Sequence, residues 1–88
     1  MSIRQFVMLT MLMKNRLEIF MTFIERLEIE KSELDEKLSK LIPFFDTEIF
    51  ADLSSEMQAL MIEQCAVMRK YSEILGKRIE ILTVATTA

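Results

Sequence analysis

Taken at alternating steps of three and four residues, the chain reads Ile3, Phe6, Thr10, Met13, Leu17, Phe20, Ile24, Leu27, Lys31, Leu34, Leu38 and Leu41, and ten of these twelve positions are apolar. Such a heptad seam lies on one face of a helix, because 3.5 residues per repeat nearly matches the 3.6-residue turn. No Pro or Gly interrupts it before Pro43. The spacing therefore predicts one helix over residues 4–41, broken at Pro43 because the ring disfavours helical geometry at Ile42. Phe44 and Phe45 follow as an apolar plug for the turn, and Asp46 is placed to cap a short helical turn over residues 47–50. Ser54 caps a second long helix, predicted over residues 55–82, with inner positions Met57, Leu60, Met61, Met68, Tyr71, Leu75, Ile79 and Leu82. Gly76 lies inside that pattern without ending it, and residues 83–88 read as a frayed tail. The fold class is all-α: a single-domain helical hairpin over residues 1–88.

The two arms do not match in length. At about 1.5 Å per residue the first spans roughly 57 Å and the second roughly 42 Å. The second arm runs out near Lys14 and leaves Phe6, Val7, Leu9, Met11 and Leu12 unpartnered. An exposed apolar end of that size marks an interface or a disordered extension. Self-association as a coiled-coil-like bundle follows, dimeric or higher, through Phe6, Leu9, Met13, Leu17, Phe20, Ile24, Leu27, Leu34 and Leu38. Lys31 interrupts this seam, and its stem can carry the ammonium to the edge near Glu28 or Asp35.

Composition narrows the chemistry. Among 88 residues there is no His, one Cys and one Gly, which removes the usual zinc and copper sites, intramolecular disulfides, His-based acid–base catalysis and a Gly-rich phosphate loop. No cofactor, no metal and no enzymatic turnover are expected, and Cys65 reads as a buried thiol in a reducing cytoplasm. Ten of the fourteen acids fall in residues 25–56, which disfavours DNA or RNA as partners. The apolar stretch of residues 6–13 is too short for a membrane span of about 20 residues. Five of the eight Met residues lie in the first 21, where flexible side chains suit irregular contacts.

The sharpest polar pattern is on the second helix. Gln64, Met68, Tyr71, Leu75 and Arg78 fall at steps of four and three on one face, with Lys70 and Lys77 close by. A phenol ring, a guanidinium and an amide so placed can stack on a base and clamp a phosphate. The same residues serve equally as an assembly interface, with Arg78 paired to an acid of the first helix.

Glu30, Lys31, Glu33, Leu34 and Leu38, then Phe45, Phe50 and Leu53, and above all Gln64, Met68, Tyr71, Leu75, Arg78 and Ile79, give the chain from Met21 onward a pattern that resembles a widespread set of small phage and prophage helical proteins. The resemblance implies a phage accessory protein made in the bacterial host cytoplasm. Residues 1–20 then look like an apolar extension, either an anchor for a partner or a leader retained by a start upstream of Met21. Two functions follow as expectations. The first is a non-enzymatic protein that binds a host protein, in an anti-defence role, through the Phe-rich hinge and the N-terminal helix. The alternative is an oligomeric sponge that sequesters a nucleotide signal of host immunity at Tyr71 and Arg78; a structural phage role is a third.

Overall fold

The computed structural model describes residues 3–87, with the backbone alone for residues 6–15, 86 and 87. Three helices follow in order: α1 (Ile3–Phe44), α2 (Glu48–Ala51) and α3 (Ser55–Thr87). The α1 and α3 helices pack along each other as an antiparallel hairpin, so the expected all-α architecture is the one found. The molecule is a rod of 73 × 18 × 18 Å. Its radius of gyration, 21.2 Å, far exceeds the roughly 12 Å of a compact domain of this length. Consequently the core is a single line of side chains between two helices.

On α1 that line contains Ile24, Leu27 and Leu38, all buried, and half-buried Lys31, Leu34 and Leu41. These are the positions given by the three-and-four spacing. On α3 it comprises Gln58, Met61, Cys65, Met68, Ser72, Leu75, Ile79 and Leu82, with Leu75 at 0% exposure and Cys65 buried as a free thiol. Here the sequence reading needs correction. Met57, Leu60 and Tyr71, expected to point inward, are exposed, while Gln58, Cys65 and Ser72 take the inner positions.

Of the positions expected to mediate self-association, Ile24, Leu27 and Leu38 are buried and Leu34 half-buried in the hairpin core of their own chain. Leu17 and Phe20 are exposed, and the side chains of Phe6, Leu9 and Met13 lie outside the described residues. Lys31 lies opposite Ser72, so fifteen residues further out along both arms Thr87 comes level with about Arg16. The α1 helix continues beyond that point to Ile3, and α3 continues past residue 82, where the sequence placed its end.

Pro43 lies inside the last turn of α1 and does not stop it at Leu41. A proline this close to the end removes only one amide donor, and the chain leaves through tighter turns: Phe45 N–H to Ile42 O (3.3 Å), Asp46 N–H to Pro43 O (3.1 Å) and Thr47 N–H to Phe44 O (3.1 Å). Thr47, not Asp46, caps α2. Its hydroxyl donates to Phe44 O at 2.7 Å and accepts from Phe50 N–H at 3.3 Å, a double role closed to an acceptor-only carboxylate. Ser54 caps α3 as expected, accepting from Met57 N–H at 3.1 Å. The Phe50 ring packs edge-on against Phe45 (5.0 Å between centroids) and Phe44 (6.1 Å), and the Gln58 amide donates to Phe50 O at 2.9 Å and reaches Ala51 O and Leu53 O. The hinge phenylalanines are thus turned on one another.

Candidate ligand-binding face

Two polar groupings bridge α1 and α3. The inner one is built on Lys31, whose ammonium meets Asp35 Oδ2 at 2.8 Å and Ser72 Oγ at 2.9 Å, while the Ser72 hydroxyl donates to Asp35 Oδ1. Ser72 is buried at 7% exposure, and these bonds satisfy it. The stem of Lys31 runs beside Gly76: a Cβ added there would stand 3.3 Å from Lys31 Cε. Gly76 thus opens room for the lysine to cross the helix interface, which accounts for a glycine in mid-helix.

Gly76→Ala is expected to change stability by no more than about 1 kcal/mol, because the helix propensity gained is offset by crowding of the Lys31 contacts. Gly76→Leu displaces the lysine outright and lowers the urea midpoint clearly. Equal midpoints for the two variants would dissociate Gly76 from Lys31.

The Lys31 ammonium bonded to Asp35, together with the Ser72 hydroxyl, holds the Asp35 carboxyl below the usual carboxylate range. A depressed carboxyl contributes stability at pH values above its ordinary range, and that contribution is lost as pH falls through the folded-state value. Asp35→Asn is accordingly expected to cost stability at pH 7 and to flatten the fall in melting temperature below about pH 4. Parallel acid limbs for variant and parent in a pH series of melts would assign the acid sensitivity elsewhere.

The outer grouping carries the candidate ligand chemistry. The Tyr71 hydroxyl donates to Glu30 Oε1, and this bond raises the phenol above its ordinary value. One heptad further along α3, the Arg78 guanidinium stands over the Phe23 ring, 5.9 Å from its centroid. Positions 23 and 30 on α1, like 71 and 78 on α3, are seven residues apart, so both bridges lie on one flank of the hairpin. The sequence reading paired Arg78 with an acid of the first helix; the structure gives it an aromatic ring, and among the described residues it has no ion pair. A guanidinium held over a ring and not engaged by a carboxylate is available to an anion. Phe23 also lines an open groove of about 520 Å³ with Glu18, Ile19, Thr22 and Arg26.

The remaining predicted residues are less involved. Gln64 is exposed and its amide contacts Met68 Sδ of its own helix at 3.8 Å. Lys70 and Lys77 both reach Glu73, at 3.7 and 3.2 Å, and the Lys77 bond leads the causes that hold the Glu73 carboxyl below its usual range. Phe23 and Glu30 were missed as site residues; their signal was the same seven-residue spacing, one position before Ile24 and Lys31.

Among the described residues no group of three or more acidic or Cys side chains is placed to hold a metal ion, and no helix is long and apolar enough to cross a membrane. No curated protein and no solved structure matches the chain. A family model described as Sequestin matches residues 21–81, which include all of the hairpin core but Leu82, the hinge and all four residues of the outer grouping, and the chain belongs to the Sequestin family.

Proposed function

We propose that this protein acts by binding without turnover, as a self-associating hairpin that sequesters an anionic small ligand of the nucleotide class. The observation that carries this reading is the flank where Arg78, held over Phe23 and without an ion pair among the described residues, adjoins the groove lined by Arg26 and Glu18. An aromatic ring beside two cations suits a base joined to a phosphate. A family name that speaks of sequestration supports the same reading. The resemblance to phage accessory proteins supports a site of action in the cytoplasm of an infected bacterium, where removal of a nucleotide signal would blunt a host defence.

A thermal-shift series with a panel of nucleotides tests this. A ligand at about a hundredfold over its Kd stabilises the folded state by about 2.7 kcal/mol, a readily measured rise in Tm. No shift with any nucleotide, together with stoichiometric capture of a host protein, would transfer the function to protein docking.

A further inference from the structure

Alongside its buried seam, α3 carries a second heptad seam displaced by one residue. Met57, Leu60, Val67, Tyr71, Ile74 and Ile81 recur at three-and-four spacing, with Gln64 and Arg78 at the two intervening positions. All six apolar members are exposed, Val67 by 62% and Ile81 by 68%. Adjacent seams on one helix, about 100° apart, are what a helix needs when it contacts two neighbours in a bundle. The hairpin supplies only one of them.

Charges bordering the outer seam specify the other neighbour. Immediately before positions 57, 64, 71 and 78 stand Glu56, Glu63, Lys70 and Lys77, acidic in the first half and, with Glu73 shared between the two lysines, net basic in the second. A helix with this column is complementary to itself when reversed: Glu63 meets Lys70 of a second copy, Glu56 meets its Lys77, and the mirror contacts follow by symmetry. In that register Leu60 falls within two residues of the level of Tyr71 of the second copy, and Met57 likewise of its Ile74, close enough for the seams to interdigitate. A parallel pair in register sets each half beside its own charge.

The exposed area agrees. The chain exposes 7375 Å², against about 5,400 Å² for a compact monomer of its mass. The excess exceeds the roughly 800 Å² that each partner contributes to a standard interface.

We propose that a second copy of this chain packs antiparallel along the outer seam of α3, about a two-fold axis near Val67, to form a four-helix bundle. The inference gives a surface to the self-association named above and does not depend on the ligand. It also places Tyr71 within the interface and brings Arg78 beside the hinge of the second copy, so that the ligand face lies between two chains.

Light scattering and sedimentation on the full chain test it. The parent is expected at twice the 10.3 kDa chain mass or an even multiple of it, and Val67→Glu with Ile74→Glu at half the parent mass or less, with helicity unchanged because both positions are exposed in the hairpin. Glu63→Lys alone and Lys70→Glu alone each weaken association on the order of tenfold, and the double exchange, which reverses both charges, restores it. A monomeric parent, an assembly whose mass survives the paired seam substitutions, or a double exchange no better than the single ones overturns the proposal. A dimer that behaves as stated but binds no nucleotide leaves it intact and removes only the ligand reading.

Discussion

Leu75→Asp unfolds the hairpin, and Leu75→Ala lowers its stability by about 2–5 kcal/mol. Leu75 has no exposed surface and stands beside Ser72 and Gly76 where α1 and α3 approach closely. In a rod whose core is one line of side chains, no second layer collapses into the space left by truncation. A carboxylate there has no described cation within the core to pair with, since Lys31 already serves Asp35 and Ser72. For a domain of this size even the lower figure moves the melting temperature by roughly 10 °C. Leu34→Asp follows in severity, because half-burial lets its carboxylate reach water. Thermal and urea melts followed by far-UV circular dichroism measure both. A Leu75→Ala variant that melts within a degree or two of the parent would show that the seam does not hold the arms together.

Tyr71→Ala combined with Arg78→Ala is expected to weaken the proposed ligand binding strongly while leaving most of the fold. Both side chains sit on the outer flank, where the exposed contact of Arg78 with Phe23 contributes about 0.5–1 kcal/mol. Their value to an anionic ligand is larger: a charge-assisted hydrogen bond contributes about 1.5–3 kcal/mol, and stacking on an aromatic ring about 1–3 kcal/mol per base. Binding is therefore expected to weaken by about a hundredfold or more, measured by calorimetry beside helicity and assembly mass. Tyr71→Phe separates the two uses of the residue. It keeps the ring and drops the bond to Glu30, so binding persists if the ring stacks and falls if the hydroxyl positions Glu30. Unchanged affinity in the double variant with normal folding would take both residues out of the site.

The two arms differ in how much of their packing could be read from the sequence. On α1 one face is apolar and its neighbours are charged, so periodicity alone selects Ile24, Leu27, Leu34, Leu38 and Leu41, and the structure puts these positions inward. On α3 two adjacent faces each satisfy the heptad rule. The outer one carries Met57, Leu60, Val67, Tyr71, Ile74 and Ile81, while on the inner one Gln58, Cys65 and Ser72 take core positions. The spacing puts Met61, Met68, Leu75, Ile79 and Leu82 inward correctly, but periodicity alone does not separate the two stripes, and the bonds made by Ser72 and Gln58 explain how polar groups fit inside. The hinge was legible in kind and shifted in detail, since the lost amide of Pro43 matters little in a final helical turn and Thr47 can both donate and accept. For the candidate site, Tyr71 and Arg78 were visible from spacing on one helix. Their counterparts Glu30 and Phe23 depend on the antiparallel register, which no local pattern states.

The hinge stapled by Gln58 also sets an order of events in folding. Contacts between the arms close loops that lengthen steadily away from the turn, reaching 41 residues of separation at Lys31–Ser72 and at Glu30–Tyr71. Closure entropy rises with that separation, so the arms join first at the hinge and zip outward. Opening runs the other way, and amide exchange should quicken from the hinge toward the far end of α3. Arg78 and Phe23 lie in the half that opens sooner. A molecule that ties them together therefore acts as a clasp, slowing exchange along both arms well beyond the atoms it touches.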